Sequence, residues 1–436
     1  MFEECYTKLC ARNIEMGADN LLELVVASKK ASKKLAILPT EIKNNVLYNI
    51  ATNLQKYSDR IFEANRVDLE NATKLVNDGS ITQSTYNRLK LDDNKMRDMI
   101  QGVLDVARLD DPIGKILLKR ELDKDIVLTK VSCPIGVLGI IFEARPDVIT
   151  QVSSLAIKSS NAVILKGGKE AVNTNKAIMT IIQDALSKTD GFPSNVITQI
   201  YTREDVAELL TFDKYIDLII PRGGNKLVKY IKENTKIPVL GHADGVCHIY
   251  IDEFAEYKKA KDIVIDAKTQ YPSACNSVET VLINKNWQYK EELINALKDA
   301  DIEIIREPEN WHKEYSDKKL AVKEVSSTEE AIEHINEYSS GHTEAIITEN
   351  ETNAKRFLSA VDSAGVYHNI STRFADGFRY GFGAEIGIST NKTHARGPVG
   401  LEGLTIYKYT LEGNGEIVKD YAEGKKQFKH KDIILE

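Results

Sequence analysis

Residues 134–171 read PIGVLGIIFEARPDVITQVSSLAIKSSNAVILKGGKEA, and this stretch contains the pattern that decides the fold. An apolar strand candidate, Val137–Phe142, is followed by a helical stretch, Val148–Ser159, and then by a second strand candidate, Ala162–Leu165. Alternation of short apolar strands with helices is typical of parallel strands whose helices cover both faces of a sheet. The stretch therefore predicts an α/β protein.

The same alternation continues towards the C-terminus. In the first block we predict strands Val196–Ile200 and Leu218–Ile220 and helices Glu170–Ser187 and Arg203–Leu210. In a second block we predict strands Val246–Ile251, Glu279–Ile283, Glu344–Thr348 and Gly365–Asn369, with helices Tyr257–Thr269, Tyr289–Leu297, Thr328–Tyr338 and Thr352–Ala360. The loop sequence GHADG (Gly241–Gly245) lies between the blocks, and we place the domain junction there.

Upstream of this pattern the chain is predicted to be helical. A helix begins at Pro39 and Thr40, since Ile42, Val46, Ile50 and Leu54 recur every four residues on one face. Two strands with a polar turn at Glu121–Asp125 then form a predicted hairpin, residues 116–131. The stretch GLTIYKYTLEGNGEI near the C-terminus supplies one more strand candidate.

Composition excludes several classes of protein. The chain has 436 residues, 42% hydrophobic and 28% charged, which argues against disordered and fibrous proteins. It has no apolar run of about 18 residues to cross a bilayer, and no secretory signal. The net charge of −7 offers no basic stripe for nucleic acid or a membrane. Five scattered cysteines indicate a reducing compartment, so we expect a cytoplasmic enzyme: Cys5, Cys10, Cys133, Cys247 and Cys275.

Cys275 is the strongest candidate for chemistry. It lies in the small-residue loop of TQYPSACNSVETVLIN, between a predicted helix and a predicted strand. A nucleophilic thiolate needs little crowding, nearby backbone N–H groups and partial exposure. A free cysteine is also often a small buried apolar residue, and both interpretations stand from the residues alone.

Glycine loops and arginine loops are the other candidates. ILKGGKEA (Ile164–Ala171) and IIPRGGNKLV (Ile219–Val228) each place two glycines between a strand and a helix, where backbone N–H groups hold phosphate or ribose. Neither is a Walker A sequence, and GFGAEIG misses the dinucleotide fingerprint by one residue. The loops FEARPDV, STRFADG and THARGP contain Arg145, Arg373 and Arg396. Each arginine could bind a phosphate or a carboxylate, or could form an ordinary surface ion pair. We predict no metal site, because the histidines and acids lack ligand spacing.

Seven stretches resemble one known family, the gamma-glutamyl phosphate reductases or glutamate-5-semialdehyde dehydrogenases of the aldehyde dehydrogenase superfamily. The resemblance spans essentially the whole chain and rests on these runs: PIGVLGIIFEARPDV, SSNAVILKGGKEA, DLIIPRGG, IPVLGHADGVCHIYID, QYPSACNSVETVLIN, STRFADGFRYGFGAEIGIST and HARGPVGLEGLTIYKY. It implies a Rossmann-like sheet that binds NAD(P) without GxGxxG, an α/β catalytic domain and a small oligomerisation hairpin. It further implies reduction of L-glutamate 5-phosphate to L-glutamate 5-semialdehyde with NADPH, the second step of proline biosynthesis.

Domain bounds follow from this resemblance. We expect a cofactor-binding domain over 1–115 and 132–243, a catalytic thiol domain over 244–398, and an oligomerisation hairpin with a C-terminal strand over 116–131 and 399–436. Homo-oligomers are the expected assembly, and the glutamate 5-kinase that supplies the acyl phosphate is an expected partner. Two departures from the family pattern are Asp147, where Asn is common, and the loop NKTHARGPVG.

The resemblance also implies roles for residues. Cys275 would form a thioester, with its own N–H and Arg145 stabilising the oxyanion, or Arg145 neutralising the phosphate. The glutamate that activates water in hydrolytic relatives is missing from PVLGHADG, where His242 acts either in acid–base catalysis or in ordering the loop. Cofactor-binding residues implied are Lys166, Gly168, Lys169, Gly223, Gly224 and Glu314. Substrate-binding residues implied are Asn276, Arg373, His394 and Arg396.

Three other functions remain open from the sequence. The chain would be an oxidoreductase for another aldehyde or acyl phosphate, a silent homologue with a regulatory role, or a cysteine hydrolase. Retention of Cys275 together with both glycine loops argues against a silent homologue. No legible Cys/His/Asn set supports a hydrolase.

Overall fold

A computed structural model of the chain describes residues 18–241 and 244–434. The helices are α1 Ala18–Leu35, α2 Thr40–Lys56, α3 Ser58–Asn77, α4 Gln83–Leu89, α5 Asp93–Arg108, α6 Val148–Lys158, α7 Val172–Ser187, α8 Arg203–Leu209, α9 Asn225–Glu233, α10 Tyr257–Thr269, α11 Lys290–Asp299, α12 Thr328–Tyr338, α13 Glu351–Ala360 and α14 Val418–Ala422. The strands are β1 Ile116–Asp123, β2 Ile126–Pro134, β3 Val137–Phe142, β4 Ala162–Lys166, β5 Ile197–Ile200, β6 Leu218–Arg222, β7 Cys247–Ile251, β8 Val278–Asn284, β9 Glu303–Ile305, β10 Lys319–Val325, β11 Thr343–Ile347, β12 Gly365–His368, β13 Ile388–Ser389, β14 Gly397–Pro398, β15 Thr405–Glu412 and β16 Lys431–Asp432.

The described residues divide into two compact units. The first contains residues 18–223, 230–239 and 400–434, and the second contains the described part of 224–229 and 240–399. None of the described helices combines the length and the apolar character that crossing a bilayer requires.

The first unit is built on a parallel sheet in the order β5-β4-β3-β6. All six residues of β3 are buried, as expected for a central strand with helices on both faces. The chain moves from β3 outward to β4 and β5 on one side and returns to place β6 on the other. Ligands bind at such reversals of strand order, outside the carboxyl ends of the strands. That edge of the first sheet carries Arg145, Gly168 and Gly223.

A second sheet in the first unit is antiparallel, in the order β15-β2-β1-β16. Strands β1 and β2 form a hairpin. Its turn has two residues, so it is shorter than the predicted turn Glu121–Asp125, and Asp125 has a φ of 65°. Strand β15 pairs with β2 along its whole length, from Thr405 opposite Pro134 to Glu412 opposite Val127. Strand β15 is therefore one edge of this sheet, and the short strand β16 covers the other.

The second unit is a six-stranded parallel sheet in the order β12-β11-β7-β8-β10-β9. Successive residues of a strand point to opposite faces, and β7 shows the consequence. Ile249 and Ile251 pack with residues of α10 and α11 on one face, whereas Tyr250 packs with residues of α12 and α13 on the other. All residues of β7 and β8 are buried, so helices cover both faces.

The structure confirms the predicted fold class and most predicted elements. The helix predicted at Pro39–Thr40 begins at Thr40 and buries Val46, Ile50 and Leu54. The sequence analysis missed β10, which lies between β8 and β9 in the second sheet. Its sequence KLAVKEV has only three consecutive apolar residues between lysines, a weak signal for a central strand. It also missed the short strand β9, whereas α9 begins where the strand–glycine–helix pattern of IIPRGGNKLV predicts a helix.

Candidate active site

Cys275 lies in the loop between α10 and β8, at the amino end of β8, and its side chain is half-buried. Two backbone hydrogen bonds shape the loop: Ala274 N–H donates to Tyr271 O at 3.1 Å, and Ser277 N–H donates to Ala274 O at 2.8 Å. The backbone N–H of Cys275 donates to no atom of the described residues. A half-exposed thiol next to a free N–H is the arrangement that acyl transfer needs.

Gly245 packs directly against Cys275. A Cβ on Gly245 would lie 2.5 Å from Cys275 Cα and closer still to the Cys275 carbonyl oxygen. That carbonyl also accepts a hydrogen bond from Cys247 Sγ at 3.3 Å. Burial raises the pKa of the Cys247 thiol well above its ordinary value, so this thiol stays protonated and remains a donor. The carbonyl side of Cys275 is therefore fixed by β7 and the residues before it.

Asn276 joins the loop that contains Cys275 (residues 270–277, here the nucleophile loop after the predicted role of Cys275) to residues 371–375. Its Nδ2 donates to Ala375 O at 2.8 Å, and Thr372 Oγ1 donates to Asn276 O at 2.7 Å. The Asn276 side chain is buried, so these contacts hold the loop. Its role as a substrate ligand remains a prediction.

Arg373 brings a positive charge to the same loop. The residue is 8% exposed, its Nε donates to Gln270 Oε1 at 2.9 Å, and its guanidinium lies 5.8 Å from the centre of the Tyr271 ring. Burial lowers the pKa of this guanidinium and so does Arg379, whereas the negative charge of Cys275 raises it. Arg373 thus places a buried positive charge beside Gln270 and Tyr271, in the loop that contains Cys275.

Glu314 is tied to the nucleophile loop through Gly245, whose N–H donates to Glu314 Oε2 at 3.2 Å. The residue precedes β10, as Gly245 precedes β7 and Cys275 precedes β8. The structure therefore gathers Cys275, Asn276, Arg373 and Glu314 around the amino ends of the strands in the second unit.

The predicted substrate ligand Arg396 has a partner within the protein. Arg396 Nη2 donates to Asp362 Oδ1 at 2.9 Å and to Asp362 O at 3.0 Å, and Lys392 pairs with the same carboxylate. Hydrogen bonds from Lys392 and Arg396 lower the pKa of Asp362. His394 lies in the same loop with a φ of 28°. Asp362 thus shares its single negative charge between Lys392 and Arg396, and the substrate role of Arg396 remains a prediction.

The glycine loop after β4 forms a concave surface in the first unit. A cavity of about 120 Å³ is lined by Gly167, Gly168, Lys169, Val172, Asn175, Gln199 and Tyr201. A Cβ on Gly168 would lie 2.5 Å from Glu170 Cδ, so the Glu170 carboxylate packs closely against the Gly168 backbone. Lys166 ends β4, and burial lowers the pKa of its ammonium group. A tight, basic loop at the carboxyl end of a parallel strand fits a nicotinamide dinucleotide.

Arg145 lies in the neighbouring loop after β3. Its side chain is exposed and pairs with no side chain of the described residues. The preceding residue, Ala144, has a φ of 46° and donates its N–H to Glu170 Oε1 at 2.6 Å, which ties this loop to the glycine loop after β4.

Gly223 and Gly224 follow β6, and a Cβ on Gly224 would meet no atom within 4 Å. His242 lies outside the described residues.

The sequence analysis did not single out Gly245, nor Lys268 and Glu279, which form a buried ion pair at the two ends of the Cys275 loop. Gly245 could have been identified from the sequence, because it lies in the GHADG loop that was predicted to be the domain junction. Lys268 and Glu279 carried no signal, because a single lysine in a helix and a single glutamate at a strand end are ordinary surface residues in most proteins.

Comparison with known proteins identifies the family. The aldehyde dehydrogenase family model matches residues 7–309. The gamma-glutamyl phosphate reductase of Brachyspira hyodysenteriae is 58% identical over 429 residues, covering 95% of this chain and 99% of that protein. That of Acetivibrio thermocellus is 50% identical over 426 residues, covering 94% and 98%. The crystal structure of the Thermotoga maritima gamma-glutamyl phosphate reductase superposes with a TM-score of 0.87 at 38% identity, covering 91% and 99%. The chain therefore belongs to the aldehyde dehydrogenase family and, within it, to the gamma-glutamyl phosphate reductases.

Proposed function

We propose that Cys275 is the nucleophile with which this oxidoreductase reduces L-glutamate 5-phosphate to L-glutamate 5-semialdehyde and phosphate, a step of proline biosynthesis. The observation that carries the assignment is the setting of Cys275. It is half-exposed, its backbone N–H is free among the described residues, and the buried Arg373 donates a hydrogen bond to Gln270 in the same loop.

The chain's own residues supply the acyl transfer. The Cys275 thiolate attacks the C5 carbonyl of the acyl phosphate, and the free Cys275 N–H donates to the oxyanion that forms. The C–O bond to phosphate then breaks, phosphate leaves with the electron pair, and a thioester to Sγ remains. Arg373 offsets the negative charge of the departing phosphate.

A nicotinamide cofactor, when bound, supplies the hydride that reduces the thioester carbonyl. The resulting adduct on Cys275 collapses to the aldehyde, and Sγ leaves again as the thiolate. We assign Lys166 and Lys169, beside the cavity after β4, to the 2′-phosphate that distinguishes NADPH from NADH. Gly168 would let the backbone approach the cofactor, and Glu314, which accepts the Gly245 N–H, would hold the nicotinamide ribose.

The assembly and the location of the enzyme are also proposals. Strand β15 has an unpaired edge and exposed apolar side chains, which favours pairing with a second copy of the chain. The acyl phosphate is reactive, which favours glutamate 5-kinase as the partner that supplies it. Free cysteines at positions 133, 247 and 275 favour the reducing cytoplasm.

The test is phosphate-dependent reduction of NADP⁺ by glutamate 5-semialdehyde, the reverse of the biosynthetic reaction. Cys275→Ser is expected to lower kcat by at least about 1,000-fold, because the serine hydroxyl is not ionised at neutral pH. Cys133→Ser, at another half-buried cysteine, is the matched control and should keep wild-type activity. Activity near wild type in Cys275→Ser, or turnover that does not need phosphate, would contradict the proposal.

A further inference from the structure

Two fully buried charges lie on either side of the nucleophile loop. Lys268 is in the last turn of α10 and Glu279 is the second residue of β8, and Lys268 Nζ lies 2.9 Å from Glu279 Oε2. Both side chains are 0% exposed. Because Cys275 is in the segment between them, the ion pair closes this loop at its base.

The same carboxylate reaches a third segment. Tyr315 N–H donates to Glu279 Oε2 at 3.2 Å, and Tyr315 follows Glu314 directly. Glu314 accepts the Gly245 N–H, and Gly245 packs against Cys275. A closed chain of contacts therefore runs from Glu279 through Glu314 and Gly245 back to the nucleophile.

Stability alone does not account for this pair. Desolvation of two charges costs several kcal/mol per ion, and apolar side chains of similar volume are often as stable or more stable. Apolar residues already surround the site, including Val264, Ala267 and Val278. An ion pair differs from an apolar pair in its direction and its fixed distance.

We propose that the Lys268–Glu279 ion pair is a positioning clamp, which holds the Cys275 loop in register with the segment that carries Glu314. The inference rests on the proposed roles of Cys275 and Glu314. Lys268 and Glu279 touch neither substrate nor cofactor in this proposal, and they act through the residues they hold.

The clamp is expected to respond to pH near neutrality. Burial raises the pKa of Glu279 to about 7, although Lys268 and the Tyr315 N–H lower it. Glu314 also faces Glu279, and Asp317 and Cys247 face Lys268. As pH falls through 7, Glu279 takes up a proton and Lys268 loses its counter-charge, so the clamp weakens.

Glu279→Gln tests this response, because glutamine keeps the shape and an acceptor for Tyr315 N–H but does not titrate. We expect kcat at pH 8 to fall about ten-fold with the KM for semialdehyde little changed, as for a small misplacement of reacting groups. The ratio of variant to wild-type kcat should then rise between pH 8 and pH 6, since only the wild type loses its clamp there. A purely structural pair predicts a ratio that is independent of pH, and this result would overturn the proposal.

A double variant separates positioning from folding. Lys268→Met/Glu279→Leu replaces the pair by apolar side chains and should fold with a Tm close to that of the wild type, because removal of two buried charges offsets loss of the acceptor for the Tyr315 N–H. We expect its kcat to fall about 10- to 100-fold and its rate of Cys275 alkylation by iodoacetamide to change. Lys258→Met breaks an exposed pair with Asp262 in the same helix, 2.6 Å long, and should change neither.

A double variant with wild-type Tm, kcat and alkylation rate would overturn the clamp. That result differs from failure of the proposed function, in which Cys275→Ser itself stays active. Alkylation of Cys275 needs no substrate, so it reports on the loop even if the substrate assignment is wrong.

Discussion

Gly245 is the residue whose size decides whether the nucleophile loop can adopt its conformation. A methyl group there would overlap the Cys275 backbone, since its Cβ would lie 2.5 Å from Cys275 Cα. The obstacle is backbone rather than the end of a flexible side chain, so the loop itself must move.

Gly245→Ala is therefore expected to destabilise the protein by about 1–3 kcal/mol, the usual cost of overpacking, and to lower kcat about 100-fold. Thermal unfolding and the phosphate-dependent assay measure the two effects. The control is Gly102→Ala in α5, where a Cβ meets no atom within 4 Å and alanine favours the helix by about 0.5–1 kcal/mol. Equal activities of the two variants would contradict the role of Gly245.

Lys166 is the residue on which the proposed choice of cofactor depends. It ends β4 beside the glycine loop, and burial lowers its pKa while Glu170 raises it. Lys166→Ala is expected to raise the KM for NADPH about ten-fold or more, with a smaller effect on kcat and on the KM for NADH. Lys90→Ala, at a lysine that lies over the Tyr86 ring in the same unit, is a comparison of equal charge. An unchanged KM for NADPH would remove Lys166 from the cofactor site.

At the scale of elements, the sequence predicts what local periodicity controls. Buried strands such as β3 and β7 are continuous apolar runs, so their existence and parallel pairing follow from the pattern. Strand β10 follows from no such run, because its place between β8 and β9 is set by tertiary pairing. The candidate site divides in the same way: Cys275 stands out locally, whereas the contact of Lys268 with Glu279 exists only once α10 packs beside β8.

Strand β15 is an edge strand whose exposed apolar side chains are suited to pairing with another chain. Seven of its eight residues are exposed, and Tyr409 and Leu411 are 58% and 60% exposed. An edge strand with apolar side chains pairs readily with another chain. The opposite edge of the sheet differs, because there the two-residue strand β16 pairs with Arg120 and Glu121 of β1.

Leu411→Asp is expected to shift the protein from oligomer to monomer, because a charge on the proposed strand-pairing surface must be desolvated. Sedimentation velocity over a range of concentrations measures the change. Ile37→Asp is the control, since Ile37 is 84% exposed and lies outside this sheet. Sedimentation of the wild type as a monomer at every concentration would contradict the proposed assembly.

At the scale of the whole molecule, two buried groups in the second unit give its stability opposite responses to acid. Glu279 has a pKa of about 7 when folded, above its ordinary 4.5, so the folded state takes up its proton first and gains stability as pH falls from 7 to 4.5. Burial, His248 and Lys323 lower the pKa of His334 from 6.5 to about 3. As pH falls below 6.5, His334 binds a proton in the unfolded chain, whereas in the folded protein it stays neutral down to about pH 3. The folded state therefore loses stability over this range. The two effects oppose each other down to pH 4.5, and below it only that of His334 continues.

His334→Phe is therefore expected to reduce the acid sensitivity of the whole molecule between pH 6.5 and pH 3. Phenylalanine keeps a ring beside Trp311 and Tyr338, whose rings lie 5.0 Å and 4.6 Å from that of His334. One proton less in the unfolded state flattens the dependence of unfolding free energy on pH by about 1.4 kcal/mol per pH unit. Urea unfolding at pH 3.5, 4.5 and 7 measures this slope, with His430→Gln at an exposed histidine as the control. If both variants follow the wild-type slope, then His334 is not held neutral in the folded protein, and the acid response of the molecule arises elsewhere.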